Sequence, residues 1–515
     1  MTDHLPILPV LIPFLAGLLL LALHDRPLAL RRGLGLAALV LQIGASLVLL
    51  QAVAGGDILV YRLGDWAAPW GIVLVADRLA AWMVLITNLL ALFALVQASA
   101  GLDLRGRHFH VLFQMQLFGL AGAFLTGDLF NLFVFFEILL LASYGLLLHG
   151  GGAQRVKAGL HYVVLNLLGS SLFLLAAGLL YASLGSLNMA DLAQRSASVA
   201  PENLGLARAG GLLLLGVFAL KAALLPLHLW LPAAYANAPA AVAALFAIMT
   251  KVGAYAIVRS HTLLFGADAG PLANLFEPWL IPLALASLPL AALGALAVRS
   301  LGRLTAYLVI LSLGNLLLAF SLGQAGIAAG LYYLPHSTFA AALLFLLGEA
   351  IARRRPFSAD RLRVDADMPN LPLWGGLFFL AAVIMAGLPP FSGFLGKFLL
   401  LRAASGHDAM IWIWALVLIS ALLAIIALAR AGSRLFFQTS VTEGRALAGT
   451  LPGSAASVHE LVALFGLFGL ILLLTLLAGP ALEFTQATAE QLLQPALYRD
   501  AILNPAPVHS PGTAP

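Results

Sequence analysis

Three of the four lysines in the sequence, Lys221, Lys251 and Lys397, lie inside long apolar segments. The arginines lie mostly in the short hydrophilic stretches between such segments. A charged side chain costs roughly 2.5–3.5 kcal/mol at the centre of a membrane helix, so it is retained where it faces a partner or a water-filled path. Because a desolvated lysine can release its proton whereas arginine stays charged, this distribution predicts proton exchange at the three lysines.

Prolines close to two of these lysines predict breaks in the helices that carry them. Pro226 follows Lys221, and Pro390 precedes Lys397. A proline inside a helix frees backbone groups that only protein or water can satisfy within a membrane. We therefore expect two discontinuous helices with a lysine beside each break. His228 belongs to the first of them and is a secondary candidate for the same chemistry, together with the two prolines.

Glu137 is the one acidic residue in the middle of an apolar segment, where Phe135 and Phe136 precede it. Without a partner, a carboxyl group there would take up a proton or demand a cation. We expect Lys221 to be that partner. The pair would either switch during proton transfer or form a static structural ion pair. The static alternative is less favoured because buried ion pairs seldom add net stability over apolar residues.

Each of the other candidates has a structural alternative. Lys251 could extend to the membrane surface along its aliphatic stem. Lys397 could cap the exposed carbonyls of a helix end. His336 falls inside an apolar segment and could relay protons between lysines, or it could be a satisfied core histidine.

The composition is that of a polytopic membrane protein. Of the 515 residues, 62% are hydrophobic and only 10% charged, against about 25% charged in soluble domains. The chain contains no cysteine, which excludes disulfides and cysteine-ligated metals. It has neither a phosphate-binding glycine loop nor a segment large enough for a nucleotide-binding domain. We therefore expect no metal and no cofactor.

The apolar segments predict an all-α fold of about fourteen transmembrane helices, since each crossing needs about 20 apolar residues. The predicted spans are 5–23, 34–54, 77–98, 109–126, 128–148, 158–183, 205–235, 239–259, 276–298, 302–322, 327–351, 371–404, 409–429 and 460–478. With both termini outside, 17 basic residues fall in cytoplasmic loops and 6, including Arg259, in external ones. That asymmetry favours an even number of spans with external termini.

The broken seventh and twelfth spans are five spans apart, so they run in opposite directions, as in transporters built from inverted repeats. The predicted units are 1–108 with helices 1–3, 109–263 as a first five-helix repeat, 264–437 as a second, 438–479 with a loop and helix 14, and 480–515 as a disordered tail.

Several stretches resemble a known family. Residues 220–239 and 249–255 are similar to the shared core of the proton-pumping membrane subunits of complex I and the Mrp-type cation/proton antiporter subunits. Residues 64–78, 126–137 and 387–397 favour the D-type branch of the Mrp subunits. The M-type subunit of complex I has a glutamate where Lys397 stands, and the A-type subunit of Mrp is much longer.

This resemblance implies a hydrated axis of titratable groups across the middle of the membrane, with Glu137, Lys221, Lys251, His336 and Lys397 on it. It also implies a proton-translocating subunit of a bacterial multi-subunit Na+/H+ antiporter, a transporter and not an enzyme, partnered by other Mrp subunits. The nearest alternative is a proton-pumping subunit of complex I or of a membrane-bound hydrogenase. A third is a non-conducting scaffold. The sequence shows no sodium site, because one carboxylate within a span does not supply the several oxygen ligands that sodium prefers.

Overall fold

A computed structural model describes residues 2–355, 357–365, 368–438 and 456–504 of the chain. Nearly all of these residues belong to helices or to the turns between them. The α-helices, in chain order, are α1 Leu8–Ala22, α2 Leu28–Val53, α3 Arg78–Ala98, α4 Phe109–Leu125, α5 Leu129–Leu148, α6 Ala153–Leu184, α7 Met189–Ser196, α8 Leu204–Lys221, α9 Trp230–Asn237, α10 Ala240–Leu263, α11 Glu277–Ala297, α12 Leu301–Phe320, α13 Gly323–Ala352, α14 Leu371–Ala386, α15 Ser392–Ala403, α16 Met410–Gly432, α17 Val458–Leu476, α18 Ala478–Leu492 and α19 Pro495–Leu503.

Twelve helices among the described residues are long and apolar enough to cross a membrane. The polytopic helical fold is thereby confirmed. Two further apolar helices, α4 and α14, are shorter, with 17 and 16 residues. The number of fourteen crossings therefore stays a prediction that includes these two.

Side chains at the helix ends explain several of the boundaries. Asp77 and Asp128 accept hydrogen bonds from the backbone at the starts of α3 and α5, as N-caps do. At the end of α13, Arg353 pairs with Glu349 at 2.5 Å. Gly387 has a φ of 73° at the end of α14, a conformation that glycine adopts without steric cost.

The helices form a buried centre and a lipid-facing periphery. α10 is buried along its whole central stretch, and α12 and α13 are almost as fully enclosed. In α1, α2, α16 and α17 only about a third of the span is buried. The three enclosed helices are less apolar than the peripheral ones, so hydropathy alone ranks them lower. Two of the predicted site residues, Lys251 and His336, lie on the enclosed helices.

One small β element is absent from the all-α prediction. Strands β1 Leu59–Arg62 and β2 Val73–Ala76 form an antiparallel hairpin between α2 and α3, with Leu59 paired to Ala76. Both strands are rich in β-branched and aliphatic residues, which fit a pleated surface. The hairpin leads directly into Asp77 at the start of α3.

The prediction of a disordered tail after residue 480 is wrong for residues 480–503, because α18 and α19 occupy them. α18 packs on α13 through a buried face that includes Thr485, Ala489 and Leu492. Gln491 also accepts a hydrogen bond from the backbone of Arg78 and donates one to Gly56. A hydropathy search does not detect this packing face, because the polar residues of α18 lower the average hydropathy of the helix. Residues 505–515, and the loop predicted at 438–457 except for its ends, lie outside the described residues.

Candidate functional site

The first predicted break lies between α8 and α9. α8 ends at Lys221, the chain leaves the helix at Ala222–Leu229, and α9 begins at Trp230. The backbone groups freed by the break find partners within the protein, as their membrane location requires. The indole Nε1 of Trp230 donates to the carbonyl of Leu220 at 3.1 Å, and the amide of Leu225 donates to the hydroxyl of Ser287 at 3.1 Å.

The ammonium group of Lys221 faces neutral polar groups of α6. Its Nζ lies 3.5 Å from the carbonyl oxygen and the side-chain oxygen of Asn166, and 3.5 Å from the hydroxyl of Ser170. The side chain is buried, with 8% of its surface exposed. A cavity of about 20 Å³ adjoins it, lined in part by Tyr162 and Trp230. A cavity of that volume has room for one water molecule.

Glu137 on α5 is joined to Lys221 through Ser170. The Ser170 hydroxyl donates a hydrogen bond to the Glu137 carboxylate and lies within reach of the lysine ammonium. The expected pairing of acid and lysine is therefore mediated by a hydroxyl, which can accept a proton on one side while donating one on the other. The Glu137 side chain is only half-buried.

Lys251 lies in the middle of α10 and is fully buried, with none of its surface exposed. Extension of this side chain to the membrane surface is thereby ruled out. Its Nζ lies 3.5 Å from the hydroxyl of Ser312 on α12. Two residues later, Gly253 lies so close to the end of α8 that a Cβ there would be 2.5 Å from the amide nitrogen of Ala222. This glycine therefore lets α10 approach the first break.

The second predicted break lies between α14 and α15. α14 ends at Ala386, and α15 begins at Ser392. The ammonium group of Lys397 reaches back from α15 and donates to the carbonyl of Ala386 at 2.7 Å. Lys397 thus caps the end of the preceding half-helix, which was the structural alternative for this residue. Its side chain is only partly buried, like that of Glu137 at the other end of the set.

His336 on α13 lies at the second break and contacts both of its half-helices. Its Nδ1 is 2.9 Å from the hydroxyl of Ser392, and its Nε2 is 3.1 Å from the carbonyl of Ile384. A Cβ on Gly393 would lie 2.2 Å from the Nε2 atom, so only glycine leaves room for the ring. His336 is thus a satisfied buried histidine as well as a neighbour of Lys397.

The secondary candidates lie at the outer edges of the two breaks. Pro226 and Pro390 are exposed on the surface of the chain. His228 is partly buried, and its Nδ1 atom has no hydrogen-bond partner among the described residues. The structure therefore places the three lysines and His336 at the helix breaks or on the enclosed helices, and Glu137 on α5 joins them through Ser170. The three secondary candidates lie outside that set.

Sequence reasoning missed the neutral polar residues that contact the lysines. These are Asn166, Ser170 and Ser312. Asn166 and Ser170 are four residues apart on α6, so they lie on one face of the helix. That spacing is a signal the sequence does contain.

Other buried charges are held in direct ion pairs with arginine. Arg259 forms two hydrogen bonds of 2.6 and 2.8 Å with Asp77. It lies inside α10, which corrects its predicted place in an external loop. Arg354 pairs with Glu460 at 2.7 Å. The lysines of the breaks and of α10 contact carbonyl and hydroxyl oxygens instead.

Asp103, in the turn before α4, shows how a direct ion pair with arginine changes the pKa of a buried carboxyl group. Its carboxylate accepts bonds of 2.6 and 2.7 Å from Arg32 and lies 3.2 Å from Nε2 of His110. Burial by itself would raise the pKa of this carboxyl group. The hydrogen bonds and charges of Arg32 and His110 outweigh burial and hold the pKa well below its usual value.

The fold and these titratable groups define a class, the polytopic membrane proteins that carry ionisable side chains within their membrane segments. The model of the NADH:quinone oxidoreductase/Mrp antiporter transmembrane family matches residues 126–424, which contain all five principal residues. The chain belongs to this family.

Individual relatives agree with that assignment. The chain is 41% identical to the D subunit of the probable K(+)/H(+) antiporter of Rhizobium meliloti, with 98% of each chain covered. It is 36% identical to the D subunit of the Na(+)/H(+) antiporter of Alkalihalophilus pseudofirmus, over 97% of this chain and 99% of the relative. A chain of the Mrp complex from Dietzia sp. superimposes with a TM-score of 0.84 at 28% identity, covering 98% of this chain and 99% of that one.

Proposed function

We propose that this chain is the proton-conducting subunit of a multi-subunit monovalent cation/proton antiporter in a bacterial cell membrane. Its relatives of similar length are named as D-type antiporter subunits, and the exchanged cation in those names is Na+ in one case and K+ in another. The proposal therefore specifies a monovalent cation, with Na+ the one that the family resemblance of the sequence implies. Both ions belong in the transport assay.

The observation that carries the proposal is the environment of the three lysines within the membrane segments. Each ammonium contacts neutral oxygen atoms: those of Asn166 and Ser170, of Ser312, or of the Ala386 carbonyl. A lysine among neutral partners can lose and regain its proton without leaving a carboxylate unpaired. Arginine, which fills the direct ion pairs elsewhere in the chain, cannot do so.

The proposed relay begins at Glu137 and passes through Ser170 to Lys221. It continues to Lys251 and Ser312 in the enclosed core, and then to His336 and Lys397 at the second break. The close approach of α10 to the end of α8 at Gly253 supports the step between the first two lysines. Water entering cavities such as that beside Lys221 would complete the hydrogen-bonded line.

The two ends of the relay favour assembly with other membrane subunits. Glu137 and Lys397 are both partly exposed on the surface of the chain, although each lies in an apolar membrane segment. An ionisable group facing lipid tails is costly, so a neighbouring subunit is the better environment. The chain would then exchange protons with those neighbours at both ends.

We propose the domain organisation that the sequence predicts, with repeats at 109–263 and 264–437. In each repeat the broken span is the fourth of five, being α8–α9 in the first and α14–α15 in the second. Five crossings per repeat place the two breaks in opposite orientations, as inverted repeats do.

The proposed topology has both termini on the external side, which the arginine-rich loops support. Because the chain has no cysteine, single cysteines can report the topology directly. A cysteine at Lys157 should react with a membrane-impermeant maleimide only after the membrane is opened, whereas one at Ser198 should react in intact cells. The reverse pattern would invert the topology.

Co-purified proteins distinguish the antiporter from the redox-driven pumps of the same family. Several small membrane subunits would support the antiporter, and iron–sulfur or quinone-module subunits would contradict it.

Replacement of Lys221, Lys251 and Lys397 together by alanine distinguishes conduction from a passive scaffold. In the reconstituted complex, we expect ΔpH-driven cation exchange to fall to the level of empty vesicles. The matched control is Lys157→Ala, which removes the fourth lysine from an exposed position. Wild-type exchange in the triple variant would establish a non-conducting scaffold.

A further inference from the structure

A basic crevice lies where the loop after α13 meets the turn between α11 and α12. The loop is fixed there by backbone hydrogen bonds of 2.9 Å, from Leu301 to the carbonyl of Asp360 and from Leu362 to the carbonyl of Arg299. A β-bridge also pairs Ser300 with Arg361. Through these contacts two arginines of the loop are held beside two arginines of the helix turn. The four residues that define the arginine crevice are Arg299, Arg303, Arg361 and Arg363.

These four guanidinium groups differ from the other arginines of the same loop. Arg353, Arg354 and Arg355 use their donors on Glu349, on Glu460 and on loop carbonyls. Within the part of the chain that the structure describes, the side chains of the four crevice arginines make neither a hydrogen bond nor an ion pair. Their donors are therefore available to a ligand.

The crevice encloses a cavity of about 270 Å³ with a strongly positive lining. Four arginines face one acidic residue, Asp360, so the lining carries a formal charge of +3. The Asp360 carboxylate already accepts a hydrogen bond from the amide of Gly302 at 3.3 Å. The amide side chains of Gln154 and Asn237 complete the polar wall. Such a lining suits a ligand with several anionic oxygen atoms, which arginine binds in a bidentate manner.

The crevice lies at the edge of the membrane-spanning region. Arg299 follows the last residue of α11 by two positions, Arg303 lies in the first turn of α12, and Gln154 lies in the first turn of α6. All three helices are membrane-spanning candidates. An anionic group bound here would therefore lie at the depth of lipid headgroups.

Exposed apolar side chains continue from the crevice along two of these helices. On α6, Val156 and Leu160 are 54% and 65% exposed. On α11, Leu290 and Leu293 are 45% and 52% exposed, with Leu293 one turn before the helix ends. Acyl chains could lie along these surfaces while the headgroup occupies the cavity. The cavity of about 270 Å³ is smaller than the roughly 300–1,000 Å³ of pockets that enclose a whole drug-sized ligand, so it suits a headgroup alone.

We infer that the arginine crevice binds the phosphodiester headgroup of an anionic phospholipid whose acyl chains lie along α6 and α11. The guanidinium groups hold the phosphate oxygens through charge-assisted hydrogen bonds, and the surrounding bilayer supplies the lipid. This site does not depend on the proposed transport function.

The test is lipid retention by the purified complex. After delipidation, the complex is titrated with phosphatidylglycerol or phosphatidylcholine in detergent, and bound lipid is measured by native mass spectrometry. We expect wild-type complex to prefer phosphatidylglycerol. In the Arg361→Gln/Arg363→Gln variant, phosphatidylglycerol binding should be about 30-fold weaker, the effect of removing two basic residues at a membrane surface.

Two further variants complete the test, one outside the crevice and one in its other wall. Arg26→Gln/Arg107→Gln removes two exposed arginines from loops on the same side and should leave binding unchanged. Arg299→Gln/Arg303→Gln alters the other wall of the crevice and should reproduce the loss of binding. This second crevice variant keeps the test valid if the loop variant folds poorly.

Three results would overturn the inference. They are equal retention of phosphatidylglycerol and phosphatidylcholine by the wild type, unchanged retention in both crevice variants, and displacement of the lipid by millimolar inorganic phosphate. The last result would mean that the crevice binds a free phosphate.

Discussion

The two broken spans satisfy the same physical requirement with different residues. At the first break, the carbonyl of Leu220 at the end of α8 accepts a hydrogen bond from the indole of Trp230. At the second break, the carbonyl of Ala386 at the end of α14 accepts its bond from the ammonium of Lys397. A neutral side chain closes one helix end, and a charged one closes the other.

At the first break, one residue closes the helix end and another is the proposed proton carrier. At the second break, Lys397 has both roles. Lys221 is the last residue of α8, but its ammonium group plays no part in closing the helix end, because its hydrogen-bond partners are on α6. It can change its protonation state while the break stays intact. Lys397 cannot lose its proton or move away without weakening a contact that closes α14. We therefore expect the two lysines to respond differently to substitution.

The largest effect is expected for Lys397→Ala. This substitution should reduce cation-driven proton flux to background and also destabilise the complex by about 1–2 kcal/mol, because a cation is removed from a helix C-terminus. Flux in proteoliposomes and the thermal unfolding midpoint in detergent measure the two effects. Lys397→Arg is the matched control, since it should restore stability without restoring flux. Loss of flux with unchanged stability would contradict the capping role.

Substitution in a fixed ion pair outside the breaks should change stability but not flux. Asp103→Asn should lower stability by about 2 kcal/mol, because Arg32 loses its charged acceptor, while leaving flux near the wild-type value. In the wild type, the folded-state pKa of Asp103 is lowered, so its contribution is fully present above the unfolded pKa of about 4 and is lost progressively as the pH falls from there towards the lower folded-state pKa. The difference between the unfolding midpoints of wild type and variant should therefore be full at pH 7 and begin to shrink as the pH falls below about 4. A constant difference at every pH would exclude this linkage.

Ser170→Ala tests the link between Glu137 and Lys221. Removing the hydroxyl should reduce flux about tenfold, the value of one hydrogen bond to a charged group, and leave assembly intact. Ser171→Ala, at the neighbouring exposed position on α6, is the control. If both variants transport at the wild-type rate, the relay does not pass through Ser170.

The smallest effect is expected for Trp230→Phe. It leaves the carbonyl of Leu220 without its donor and should cost about 1 kcal/mol of stability. Flux should remain above half of the wild-type rate, because no titratable group changes. An effect on flux as large as that of Lys397→Ala would show that the two breaks depend on their caps in the same way.

The positions of both breaks could be predicted from the sequence because proline acts locally. Pro226 and Pro390 lie in the non-helical residues between the half-helices. The burial of Lys251 was equally accessible, since it occupies the middle of an apolar segment long enough to span a membrane. Such features depend on neighbours within a few positions of the same segment.

Features that depend on packing between distant helices could not be predicted in the same way. Ser170 lies between Glu137 and Lys221 because α5, α6 and α8 meet, and nothing in any single segment specifies that meeting. The direction in which Lys397 extends depends on how α15 lies against α14. The packing face of α18 was hidden because its other face is polar.

Lys221→Ala in the reconstituted complex tests the central claim most directly, because this lysine has no part in closing its helix end. The measurement is cation-driven proton flux in proteoliposomes, with the content of each protein and the unfolding midpoint recorded for the same preparation and Lys157→Ala beside it. The proposed relay predicts background flux in a complex that assembles and unfolds like the wild type. Wild-type flux from the Lys221→Ala complex would contradict it.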